Sequence, residues 1–166
     1  MERIKEDPVF GQIDVAHSGQ DHEILANLRN RLYRFNPIRE VGAPVGIEVR
    51  EGVVTLTGWV KTLSHKKMAE RLAAEVEGVR EVRNQLFCDD ELIPAVARAL
   101  AEDPRTVHNF PGVQVASYLG HVILTGYVAS QEEWDLADDV VAHVPGVRSV
   151  DNRLRIAPAE LERLQA

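Results

Sequence analysis

The chain has 166 residues, 45% of them hydrophobic and 27% charged, a balance that belongs to folded globular proteins and excludes a disordered one. Its formal net charge of −7 argues against non-specific nucleic-acid binding, which needs a surface that neutralises phosphate. The single cysteine, Cys88, excludes an intrachain disulfide and fits a reducing compartment or a fold that needs no staple.

Residues 1–20 read as an arm. Glu2, Glu6 and Asp7 stand where a secretory signal would carry a basic start and an apolar stretch. No apolar run approaches the ~18–20 residues of a membrane span, and no early cysteine offers a lipid anchor. With Met1 as the natural start, the expected location is cytoplasmic. Phe10, Ile13 and Val15 either strap onto a sheet edge, swap to a neighbour, or leave the arm disordered.

Residues 21–88 form a first module. Asp21 is placed to cap a helix whose apolar stripe is Ile24, Leu25, Leu28 and Leu32. Pro37 and Pro44 break the chain. Val45, Ile47 and Val49 then alternate, Glu51-Gly52 turns, and Val54, Leu56, Gly58 and Val60 alternate again, which predicts a hairpin. A second helix follows, with Met68, Ala69, Leu72, Ala73 and Val76 inward and Gly78 as its stop. Val79, Val82, Leu86 and Cys88 mark the last strand, where Cys88 reads as a small core hydrophobe.

Residues 89–156 form a second module on the same plan, and 157–166 a short tail. Pro94 is expected in or before the first turn of the opening helix. Ser130-x-x-Glu133 is a capping box for the second helix. Trp134, in phase with Ala137, Val141 and Val144, is expected to cover the core edge. A shift of 68 positions lays 21–88 on 89–156 without a gap and gives 19 identities, clustered in turns and apolar alternations, so the chain is an internal duplication. The predicted class is α+β. Each α-β-β-α-β module has a three-stranded mixed sheet, covered by two helices on one face, because the last strand needs a helical crossover and so pairs in parallel.

At Leu56-Thr57-Gly58-x-Val60 and Gly78-Val79-x-x-Val82-x-Asn84-x-Leu86, each present twice, the sequence resembles the BON domain, the module of bacterial osmotically induced and nodulation-associated proteins. The resemblance implies a sandwich without a catalytic residue set. It also implies association with envelope maintenance, phospholipid contact, osmotic response or, in some relatives, ligand or potassium sensing. The paired glycines Gly58 and Gly126 sit mid-strand, where a helix or neighbouring strand approaches too closely for a side chain. Gly78 and Gly146 are the second structural pair.

No chemistry is predicted. The six histidines (His17, His22, His65, His108, His121 and His143) are scattered without ligand spacing, so no metal and no cofactor is expected. Ser64-x-x-Lys67 matches one nucleophile pattern, but its companion motifs are absent and it reads as a solvated helix start. The acids Glu132, Glu133, Asp135, Asp138 and Asp139 spread along a helix as a solvated face and do not converge from a loop as a calcium site does.

Charge is unequal between the copies. The first has eleven basic residues against nine acids, and the second five against eleven, giving +2 and −6. Complementary potentials guide pairing and orientation. Trp59 and Tyr127 follow the mid-strand glycines out of phase with the core positions, and both are candidates for partner contact. The expectation is a non-enzymatic binding or assembly protein that acts on itself or on a protein partner. A phospholipid-binding protein at the membrane surface and a small-ligand or potassium sensor are the alternatives.

Overall fold

The computed structural model of the chain describes residues 2–4, 14–40, 42–106 and 112–157. They fall into two compact units, one within Asp7–Asp90 and one made of Met1–Glu6 with Glu91–Ala166. In chain order the elements are β1 (Glu2–Ile4), β2 (Val15–Ala16), α1 (Gly19–Arg34), α2 (Asn36–Glu40), β3 (Val45–Arg50), β4 (Val53–Val60), α3 (Leu63–Ala74), β5 (Glu81–Asn84) and β6 (Phe87–Cys88). The second module continues with α4 (Asp89–Glu102), β7 (Gln114–Tyr118), β8 (His121–Thr125), β9 (Tyr127–Val128), α5 (Gln131–Ala142), β10 (Ser149–Asn152) and β11 (Arg155–Ile156).

In the first module α1 buries Ile24, Leu25, Leu28 and Leu32, the stripe its spacing predicts. Full burial of one such side chain is worth about 1.5–3 kcal/mol. The helix starts earlier than expected. Ser18 is the N-cap and its Oγ accepts the Asp21 N–H at 3.1 Å. Pro37, expected only to break the chain, is the second residue of α2; N–H groups of a first turn have no intrahelical acceptor, so proline is tolerated there.

β3 and β4 pair antiparallel from Val45↔Gly58 to Arg50↔Val53, and β4 pairs in parallel with β5 and β6. Ala69 and Ala73 of α3 are fully buried against this sheet, and Cys88 lies in the same core. Gly78 does not end the helix. The C-cap is Glu75, and Gly78, with φ +91°, sits in a turn closed by Val79 N–H to Val76 C=O at 3.2 Å. That is the third position of a four-residue turn, which demands positive φ in the type II form.

The second module repeats the plan. β7 and β8 are antiparallel, while β8 with β10 and β9 with β11 are parallel. Gly146, with φ +92°, holds the same turn as Gly78, here behind Pro145. Ser130 caps α5 by accepting the Glu133 N–H at 3.2 Å, and Glu133 Oε2 reaches back to the Ala129 N–H at 2.7 Å. The box closes one residue upstream of the cap. Pro94 lies at the sixth position of α4, past the expected first turn, and removes the bond its N–H would make to the Asp90 carbonyl.

Strands of the leading segment extend both sheets. β2 adds in parallel to β3 through Val15↔Glu48 and Ala16↔Val49. β1 adds antiparallel to β10 through Glu2↔Asp151, Arg3↔Val150 and Ile4↔Ser149. The sheets therefore run β2-β3-β4-β5 and β1-β10-β8-β7, with the added strand on opposite edges. Val15 is thus a strap on a sheet edge, whereas Phe10 and Ile13 lie outside the described residues.

Candidate interaction surface

The positions shared by the two copies serve the fold. A Cβ on Gly58 (φ +105°) would overlap the Pro44 carbonyl oxygen, and one on Gly126 (φ +130°) would stand 2.8 Å from the Gly112 carbonyl oxygen. The hairpin partner's backbone is therefore the close neighbour at both sites. Asn84 donates from Nδ2 to the Lys66 carbonyl (3.0 Å) and accepts the Leu86 N–H at Oδ1 (3.2 Å). Asn152 repeats this with the Trp134 carbonyl (3.1 Å) and the Leu154 N–H (3.2 Å). Each asparagine thus ties the second helix to the irregular end of the last strand.

Asp21 is a buried carboxylate that accepts the N–H groups of Glu51 (3.1 Å) and Gly52 (3.0 Å) at the hairpin turn. Burial pushes its pKa up. Bonds from Gly52, Ser18 and Glu51, with the nearby His17, outweigh that and hold it below the ordinary carboxylate range. Its counterpart Asp89 is likewise buried, at 4% exposure.

The helices cover one face of each sheet. On the first module's other face, Trp59 stacks on Phe87, with centroids 5.9 Å apart and planes 27° apart, and is only 6% exposed. Tyr127, its counterpart, is 54% exposed. The cross-strand residues differ too: Trp59 faces an aromatic ring, Phe87, whereas Tyr127 faces Arg155. Around Tyr127 the same face of the second module carries Ile123, Thr125, Ala116 and the exposed Tyr118. His121 Nδ1 lies 2.6 Å from Ser149 Oγ on that face.

Among the described residues, no group of three or more His, Cys, Asp and Glu side chains is placed to hold a metal ion. Ser64 lies in the first turn of α3. The α5 acids are not one solvated face, because Asp138 is buried and Asp139 pairs with Arg105 at 3.4 Å. Trp134 packs against the second core, and its carbonyl is the acceptor for Asn152. His108 lies outside the described residues.

The BON domain pattern matches residues 20–86 and again 89–158. The chain belongs to the BON domain family. Among relatives it is 29% identical to "Osmotically-inducible protein Y" of Escherichia coli, over 81% of this chain and 72% of that protein. It is 26% identical to "Uncharacterized protein in gshII 5'region" of Anaplasma centrale, over 86% of this chain and 99% of that protein. Among solved structures, the BON pair is similar to CdsD, a structural protein of the Type III secretion system of Chlamydia trachomatis. The TM-score is 0.60 at 18% identity, over 86% of this chain and 65% of that one. The C-terminal domain of the same protein gives a TM-score of 0.61 at 18% identity, over 95% of this chain and 90% of that one. At that identity the structures share a fold. Sequence reasoning had singled out the BON glycines and aromatics but assigned nothing to Asn84, Asn152 or Asp21 beyond motif membership and a cap. Their identity in both copies was the available signal.

Proposed function

We propose that this tandem BON protein works by non-catalytic association, first with itself, in an osmotic-stress setting. The observation that carries the proposal is the sheet face of the second module on which Tyr127 and Tyr118 are 54% and 47% exposed. Amphipathic rings of this kind are enriched at protein interfaces. The stress setting follows from the similarity to an osmotically inducible protein. The unequal charge of the two copies, +2 and −6, favours contact between unlike modules.

Sedimentation velocity over a concentration series tests this. Species heavier than the monomer are expected at low salt. They should diminish at roughly 0.5 M salt, where the Debye length falls below ~5 Å, and in Tyr127→Ser. A chain that stays monomeric at every salt and protein concentration would refute self-association. Flotation with anionic vesicles separates the membrane-surface alternative, which the net charge of −7 disfavours.

A further inference from the structure

We infer that the outer edge of β5 is a socket for the Glu2–Ile4 strand of a second copy of this chain. This rests on the self-association proposed above and names a surface for it. β5 and β10 are counterparts 68 positions apart. Each pairs in parallel with its central strand in the same register, Val53↔Glu81 through Leu56↔Asn84 in one module and His121↔Ser149 through Leu124↔Asn152 in the other. The flanking bonds repeat as well. Arg80 N–H meets the Gly52 carbonyl and Arg148 N–H the Gly120 carbonyl, both at 2.8 Å; Gln85 N–H meets the Leu56 carbonyl at 2.8 Å and Arg153 N–H the Leu124 carbonyl at 2.9 Å. The outer rows of backbone groups on β5 and β10 therefore point the same way.

On β10 that row receives β1. On β5 it receives no strand among the described residues, for β5 ends its sheet. Exposure follows the pairing. Ser149, Val150 and Asn152 are all buried, at 2%, 1% and 4% exposure, whereas Glu81 is exposed and Val82 and Asn84 are half-buried. An open row of N–H and C=O groups is a template for strand addition.

The register on β10 indicates which strand fits. Carried to β5, it sets Ile4 opposite Glu81, Arg3 opposite Val82 and Glu2 opposite Arg83. The match is one of backbone, since β5 repeats the row of groups that holds this strand on β10. Each chain carries one such strand and two edges of this shape. A strand held on its own β10 leaves β5 of that chain open, and a strand donated to a neighbour's β5 vacates the donor's β10. Donation of this kind is heterologous and builds rings or open filaments.

Opposed Cα atoms in an antiparallel pair lie about 4.5–5.5 Å apart, within disulfide range. The test mixes full-length E2C with full-length R83C, one of them tagged, and resolves the products of mild oxidation without reductant. A disulfide-linked heterodimer is expected, several-fold above the yield of E2C with E77C, which reports random collision at an exposed site off the edge. The double variant E2C/D151C is the internal standard and should close within one chain. A heterodimer no more abundant than the E77C background overturns the socket. Sedimentation of the same samples separates the two claims: assembly without the link removes the socket alone, and a monomer without the link removes self-association too.

Discussion

Asn84 and Asn152 occupy matching places, and each uses one end of its amide on a carbonyl inside the second helix and the other on an N–H that lies between strands. Asp21 accepts two N–H groups of the hairpin turn. Because its carboxyl is held below the ordinary range, it stabilises the first module while ionised. That contribution is fully present above the unfolded-state value, near pH 4, and is lost as the pH falls through the folded-state value. Asp21→Asn should therefore flatten the acid limb of stability below about pH 4, read by thermal melts across pH. An unchanged acid limb would refute the assignment. Gly58 is a second residue with a single solution, given its φ of +105° and the adjacent Pro44 carbonyl. Gly58→Ala should cost about 3 kcal/mol or more. Gly126→Ala, whose nearest atom is at 2.8 Å, should cost less. Equal shifts of the melting midpoint in the two variants would contradict this. The glycines were legible in the sequence as repeated identities. The acceptors of the asparagines were not, because they sit 18 residues away on another element.

Helices were legible where their signals are local. The stripe of α1 and the capping box of α5 need only residues within two turns, and both are present. Ser130→Ala should destabilise the second module by about 0.5–2 kcal/mol, visible as a lower melting midpoint. Boundaries were less legible. Ser18 and Asp21 are both good caps, and the competition was decided by the hairpin turn, which claims the Asp21 carboxylate. α4 runs through Pro94 because Leu92, Val96 and Leu100 bury their side chains and offset the missing bond. Pro94 itself is exposed, so Pro94→Ala restores the bond without disturbing the core. It should raise the second module's stability by roughly 1–3 kcal/mol. A lower melting midpoint for Pro94→Ala would show that the ring makes a contact this account omits.

Over the whole molecule, duplication yields two modules that are alike in plan and unlike at their margins. Phe87 gives Trp59 a stacking partner, and Arg155 gives Tyr127 none. The leading segment supplies a strand to each sheet but to opposite edges. The repeat itself accounts for part of this. The segment equivalent to Val15–Ala16 in the second copy is Arg83-Asn84, already committed to β5 of the first. Removing residues 1–5 should speed amide exchange in β10, measured residue by residue. Equal exchange in β10 with and without those residues would show that β1 contributes no protection.

The sequence alone determined what depends on near neighbours and on repetition: two copies, their α+β plan and the inward stripes. Tertiary structure alone decided which cap serves α1, which aromatic is stacked and which exposed, and which sheet edge each leading strand meets. Periodicity reports the face a side chain takes within its own element. The residue standing opposite belongs to a distant stretch of chain, and only the folded register brings the two together.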